Sequence, residues 1–353
     1  MQQIKLTITT FILILLVLLP AQQIQSSDGL NCLDQYGNQV DWFIMWKLPS
    51  AVSSGKQFMY IDSDSREHIL LDNLNDIDSP LIRTIAQIKT PDDDKFGVYW
   101  NDSHYGTDYT KDYGHTKGFI GGNKKSGFIM NHSAPAYPHF DDNGIPFLEV
   151  FNPQLKYGQH FFCFSTDLSE IDKYANNFML NKPFVFKESY VGQNVKQQLP
   201  NLQLMSQGHY YPGTKLIKDI STLDGLQILQ FSKSGDYEVM FYDKVVTPKL
   251  QRNLFVENWG SPQEEPDCDV RFQTKSNLYI YWDDQYQYEF TNDHSKFAIT
   301  ETGDFVCFGD INRQNSQNVR GGGTNCFQNK IVHDLLKKIM PLQQICVFGE
   351  YYQ

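Results

Sequence analysis

The sequence predicts a mixed α/β fold, with helices and strands interleaved in packed α+β layers. Three observations carry that prediction. Short runs dense in aromatic and β-branched residues, the composition of strands, recur along the chain. Between them stand segments whose apolar residues return every three to four positions, the period of a helix. Finally, 41% of the 353 residues are hydrophobic, with 25 Phe and 20 Tyr, ample for a substantial core.

The elements follow in order. Residues 1–27 read as a secretory signal: Lys5 supplies the charge, and TFILILLVLLPA (10–21) is an apolar run too short to span a bilayer comfortably. The alternative is a signal anchor. No other long apolar run exists, so the mature chain is expected to be soluble, with no membrane contact after signal removal. VDWFIMWKLP (40–49) reads as a strand ended by Pro49, and SPLIRTIAQI (79–88) as a short helix with Ser79 as cap and Pro80 first. FGVYW (96–100) is a strand following the acidic turn PDDD, which reads as a solvated loop rather than a metal site. FLEVF (147–151) and QHFFCF (159–164) are expected to pair around a turn at Pro153 and Gly158.

TDLSEIDKYANNFML (166–180) is helical, with Asp167 and Glu170 spaced as a capping box and Leu168, Ile171, Tyr174 and Phe178 inward. GLQILQFSKSG (225–235) fits a helix or a strand; YEVMFYDKVV (237–246) and NLYIYW (277–282) read as strands. KIVHDLLKKIM (330–340) is an amphipathic helix stopped by Pro341. No low-complexity linker marks a boundary. The long-range repetition is His115-Thr116-Lys117, returning as His294-Ser295-Lys296, and it divides the chain near residue 200.

Six cysteines stand at 32, 163, 268, 307, 326 and 346, with no Cys-x-x-Cys pair, which disfavours zinc. Behind a secretion signal, six mean disulfides, in any of 15 connectivities. Asn101-Asp-Ser and Asn131-His-Ser are glycosylation sequons. The formal charge of −11 argues against a generic nucleic-acid-binding surface at neutral pH. It leaves open an enzyme working in acid, where histidines gain protons and carboxylates lose charge.

With nine histidines in the chain, two His-x-Lys triplets can arise by chance; their chemistry is what distinguishes them. On a strand, the period of two puts His and Lys on one face. Two such faces brought together supply a histidine to attack phosphorus, a histidine to protonate the leaving oxygen, and two lysines to neutralise the non-bridging oxygens without a metal. Histidines 68, 104, 139, 160, 209 and 333 read as ordinary surface or core residues.

The surroundings of the triplets carry a resemblance. VDWFIMWKLP, GHTKG (114–118), HSAPAYP (132–138), FSKSG (231–235), DHSK (293–296), GDINR (309–313) and RGGGTNC (320–326) resemble, in order and across nearly the whole mature chain, the deoxyribonuclease II family of phospholipase D-like phosphodiesterases. The resemblance implies two phospholipase D-like halves, 28–200 and 201–353, related by a pseudo-two-fold axis and each giving one His-x-Lys. It implies DNA as substrate, acid endonuclease activity with no cofactor and no metal, and 3′-phosphate and 5′-hydroxyl ends.

His115, Lys117, His294 and Lys296 become the catalytic set, with His115 as nucleophile and His294 as leaving-group acid, though near-symmetry permits the reverse. His132 follows His115 by 17 residues and Asn312 follows His294 by 18, which points to matching supporting positions. Arg313 and Arg320 are candidate DNA-phosphate contacts, while RGGGT, lacking a P-loop ending, reads as scaffold. Asn131 is unusual beside His132, and a glycan there would crowd the site, so Asn101 is the expected glycan position. The family pattern pairs Cys32–Cys163, Cys268–Cys346 and Cys307–Cys326. The destination is lysosomal or extracellular, and the assembly a monomer or a homodimer. Two other functions compete: a phosphodiesterase acting on RNA or another diester, and an inactive DNA-binding glycoprotein of the same fold.

Overall fold

A computed structural model describes residues 29–346, apart from 105–106, 109–111 and 261. The expected secretion signal lies outside the described residues. Within them, no helix is long and apolar enough to cross a membrane.

The chain is mixed α/β and mostly sheet. The first sheet comprises β1 (Trp42–Lys47), β2 (Phe58–Asp62), β3 (Ile69–Leu71), β4 (Lys95–Trp100), β5 (Gly118–Asn123), β6 (Gly127–His132), β7 (Gln159–Thr166) and β8 (Tyr190–Val191), in the order β8-β4-β5-β6-β7-β1-β2-β3. The second comprises β9 (Lys215–Ser221), β10 (Gln227–Lys233), β11 (Leu254–Glu257), β12 (Thr274–Tyr281), β13 (Gln287–Glu289), β14 (Phe297–Thr300), β15 (Phe305–Gly309), β16 (Gly322–Gln328) and β17 (Leu342–Gln343). Its order is β9-β10-β16-β15-β14-β11-β12-β13, with β17 on β12. The segment β4-β5-β6-β7-β1 of the first sheet thus has the same chain order as β11-β14-β15-β16-β10 of the second. A helix follows the fourth member of each: α2 (Leu168–Phe178) after β7, α4 (Lys330–Ile339) after β16. Shorter helices include α1 (Pro80–Ala86) and α3 (Pro200–Ser206).

The central strands are apolar on both faces because both faces are covered. Trp42, Ile44 and Trp46 of β1 point to a core shared by the two sheets, while Phe43 and Met45 point to the outer face of the first. In the shared core Trp46 meets Trp282, Phe297 and Phe308, and Phe162 stacks on Phe327. Helix α2 joins the layers: Tyr174 donates to Asn131 on β6, and Asn177 to the carbonyl of Gln230 on β10. All three expected disulfides form: Cys32–Cys163, Cys268–Cys346 and Cys307–Cys326.

Several expectations change. Residues 225–235 resolve as strand, β10. FLEVF does not pair with QHFFCF: Pro146–Phe147 forms a two-residue ladder with His139–Phe140, and β7 is taken by β6 and β1. YEVMFYDKVV is no strand but leads into a π-helical turn at Tyr242–Val246; its buried residues, Phe241, Tyr242, Val245 and Val246, follow helical spacing. The capping box is half formed. Asp167 accepts the Glu170 amide at 2.9 Å, but the Glu170 carboxylate turns to Lys173 and the Ser221 amide. Ser79 holds the N-cap position of α1 without a side-chain cap bond.

Candidate active site

Neither triplet lies within a strand. Each occupies the extended residues that lead directly into one, His115–Lys117 into β5 and His294–Lys296 into β14. The middle residues, Thr116 and Ser295, are buried, as are Lys117 and Lys296. Each motif histidine is held by the other sheet. The His115 amide donates to the Gly321 carbonyl at 2.8 Å, just before β16, and the His294 amide to the Gly158 carbonyl at 2.9 Å, just before β7. Space is tight at both contacts: a Cβ at Gly158 would stand 2.6 Å from the Asp293 carboxylate and force it to shift, and one at Gly321 would strike the Asn181 backbone carbonyl.

Register decides what else reaches each site. Trp100 of β4 lies opposite Gly118, the first residue of β5, so Asp102, two residues on, meets the first triplet. Its carboxylate pairs with Lys117 at 2.5 Å and Arg320 at 3.3 Å, and lies 3.5 Å from His115 Nε2. In the second sheet Glu257 lies opposite Phe297, so the residue two positions on is Trp259. Its ring stands 4.9 Å from that of His294, tilted by 52°, and His294 also stacks on Tyr157 at 3.9 Å and 12°.

The hydrogen bonds set the proton positions. His115 Nδ1 lies 2.5 Å from the Asp310 carbonyl, which can only accept, so Nδ1 carries the proton and neutral His115 keeps a lone pair on Nε2. Lys296 Nζ donates to the His294 carbonyl at 2.5 Å, and the Lys296 amide donates to His160 Nδ1 at 3.2 Å. The Nε2 of His294 is buried with no hydrogen-bond partner among the described residues.

Burial depresses the pKa of both motif histidines. For His115 it acts with Lys117, against the pull of Asp102; for His294 it acts with Lys296 and Lys117 and brings the value to about 2. Lys296 is pushed down to about 7 by burial and then by Lys117. Lys296 also acts on His115, so the two triplets lie within electrostatic reach of each other. Asp102 is driven up by burial, but Lys117, His115 and Arg320 outweigh this and hold it below the usual carboxylate range. Burial raises Asp310 to about 7 against the attraction of Lys117.

Four sequence expectations need correction. His132 and Asn312 do not occupy matching positions: the Lys117 carbonyl accepts from His132, whereas the Lys296 carbonyl accepts from Gly309, because the two hairpins differ in length. His132 sits in an aromatic cage of Phe119, Tyr137 and Phe161, where burial holds it at about 3. Asn312 is buried just beyond Asp310. Arg313 is no phosphate contact. It is fully buried, forks onto Asp243 with two 3.0 Å bonds, and donates to the carbonyls of Glu264 and Glu265. Arg320 faces the site but is engaged by Asp102. Asn101 does not suit a glycan: it is fully buried, and its Nδ2 donates to the carbonyls of Ala134 and Tyr137. Asn131 is likewise buried, accepting from Asn325 and Tyr174.

Sequence reasoning passed over Asp102, Tyr157, Trp259 and Asp310. Asp102 was hidden inside a sequon, and the aromatic pair carries no local signal, since Tyr157 and Trp259 come from different sheets and share only their contact with His294. Among the described residues, no three histidines, cysteines or carboxylates gather as a cation's ligands would.

Residues 31–346 match the family model for deoxyribonuclease II. The chain is 28% identical to deoxyribonuclease-2 of Caenorhabditis elegans, covering 87% of this chain and 92% of that protein. It is 26% identical to cell-death-related nuclease 7 of the same organism, covering 91% and 90%. Against deoxyribonuclease-2-beta of Mus musculus the identity is 25%, covering 90% and 93%.

Proposed function

The chain belongs to the deoxyribonuclease II family, and we propose that it is a metal-independent acid endodeoxyribonuclease that works through a phosphohistidine and leaves 3′-phosphate and 5′-hydroxyl ends. One observation carries the reading: each motif histidine rests on a carbonyl of the opposite sheet, and each triplet's lysine acts electrostatically on the histidine of the other, which supports a single composite site. The shared strand order of the two sheets supports reading residues 28–200 and 201–353 as phospholipase D-like halves about a pseudo-two-fold axis. Three disulfides fit a secretory route ending in the lysosome or outside the cell.

In this mechanism the Nε2 lone pair of His115 attacks the phosphorus. The P–O5′ bond breaks as the leaving oxygen takes a proton from His294 Nε2–H. Water then attacks the phosphorus, His294 accepts its proton, and the N–P bond breaks to release the 3′-phosphate. Lys117 and Lys296 balance the charge on the non-bridging oxygens.

The electrostatics account for an acid requirement. Facing two lysines, His294 stays neutral to low pH. A phosphodiester anion offsets those cations and lifts the histidine, and a low ambient pH completes its protonation. The test is plasmid nicking by the purified mature protein at about pH 5 in EDTA, beside His115→Ala. Nicking by the wild type and none by the variant is expected. No cleavage in chelator, or cleavage that survives the substitution, overturns the proposal, and parallel digestion of RNA decides substrate preference.

A further inference from the structure

Two other lysines are buried as deeply as those of the triplets, and neither meets a carboxylate within ion-pair distance among the described residues. Lys47 ends β1 and Lys233 ends β10, at 1% and 0% exposure. Their positions correspond: Lys47 lies opposite Gln159, the first residue of β7, and Lys233 opposite Gly322, the first of β16.

Their hydrogen bonds correspond as well. Lys47 Nζ donates to the carbonyls of Leu48 at 3.2 Å, Leu155 at 3.2 Å and Tyr157 at 2.6 Å. Lys233 Nζ donates to those of Ser234 at 3.2 Å, Tyr237 at 3.1 Å and Asn318 at 2.7 Å. Each ammonium therefore bonds the carbonyl of the next residue and the carbonyl three residues before a glycine, Leu155 before Gly158 and Asn318 before Gly321. Those are the two glycines whose carbonyls hold the amides of His294 and His115. Three acceptors match the three protons of an ammonium, leaving none for a phosphate.

We infer that Lys47 and Lys233 are positioning residues, each clamping the loop of its own sheet that carries the motif histidine of the other. An apolar side chain would fill either position without the cost of burying a charge, so packing alone does not account for two lysines. The loops they hold also present Tyr157 to His294 and Arg320 to Asp102, so each clamp governs a ring neighbour and a backbone anchor together. Angular error at a reacting group costs rate rather than substrate affinity.

This inference rests on the nuclease reading above, and its test separates the two. In the full mature protein, Lys47→Met and Lys233→Met are expected to lower kcat on DNA by at least about tenfold with KM within about twofold. The 15N imidazole spectrum should show a crossed pattern: Lys47→Met moves the His294 resonances and spares His115, and Lys233→Met does the reverse. The Lys233 arm is decisive, because Lys47 also acts on His294 through its charge. Lys47→Gln and Lys233→Gln keep two donors, should recover part of the rate, and carry the test if the Met variants fail to fold. Folded variants with wild-type kcat, or perturbation of both histidines by either substitution, overturn the inference. A crossed spectrum in a protein that does not cut DNA in chelator preserves the clamps and removes the phosphodiester reading instead.

Discussion

The surroundings of His115 and His294 use the same backbone positions for opposite chemistry. Two residues beyond the neighbouring strand stands Asp102 in the first site and Trp259 in the second. Immediately before the anchoring glycine stands Arg320 in the first and Tyr157 in the second. An ion pair beside His115 is thus replaced by two aromatic neighbours beside His294. The lesson is that two sheets with a shared strand order can place imidazoles at corresponding positions while neighbouring side chains give them different surroundings. The first has its tautomer fixed by the Asp310 carbonyl and a carboxylate at its side, which suits the nucleophile proposed above. The second has a buried, unpartnered Nε2 and two aromatic neighbours, which suits the proton donor proposed above.

The largest expected effect breaks the comparison if the roles are reversed. His115→Ala and His294→Ala should each lose on the order of 10⁴-fold on DNA. On a nitrophenyl phosphodiester, whose leaving group needs no acid, His294→Ala should still release a burst of about one equivalent of nitrophenolate. His115→Ala should release none, and a burst from His115→Ala alone assigns the nucleophile to His294.

Next come the lysines. Lys117→Ala or Lys296→Ala should lower kcat by about 10²- to 10³-fold. Because Lys117 ranks next to burial in depressing His115, and Lys296 next to burial in depressing His294, each substitution should raise the titration of its own histidine. Imidazole NMR reads this directly, and unchanged titrations would break the assigned electrostatics.

Asp102→Asn sharpens the ionic side. The folded pKa of Asp102 lies below its unfolded value, so its carboxylate contributes stability above the unfolded pKa of about 3.9, lost as pH falls toward the folded value. At about pH 5 the variant should be less stable by ~3 kcal/mol. Thermal unfolding should show that difference shrinking below about pH 4, and a constant difference would rule out the charge as its source.

Smallest is Tyr157→Leu, which removes the stack on His294. A loss of about 1 kcal/mol, roughly fivefold in kcat, is expected, with the His115 imidazole resonances unmoved. A larger shift at His115 would mean that the aromatic face serves both sites.

Much of this was legible in local sequence. The strand at 42–47, the helices at 168–178 and 330–339, and both triplets announce themselves through composition and period, because those signals require only near neighbours. Segment 237–246 misled because β-forming residues there obey helical spacing, which tertiary burial selected over propensity. Arg313 resembled a free surface cation until Asp243, 70 residues away, was placed against it. The near-equal spacings of His132 and Asn312 implied an equivalence that the two hairpins do not keep, since strand register rather than residue count sets which amide meets which carbonyl.

By itself the sequence determined the chemical inventory: two histidines, two lysines, six oxidisable cysteines and the dense apolar strand runs that bring distant segments together. Only the tertiary structure decided that each histidine leans on the opposite sheet, that Asp102 and Trp259 take equivalent places, and that Lys47 and Lys233 hold the anchoring loops. These are ion pairs, ring stacks and hydrogen bonds between segments far apart in the chain. Their partners are chosen by register and sheet packing, which no local pattern of residues specifies.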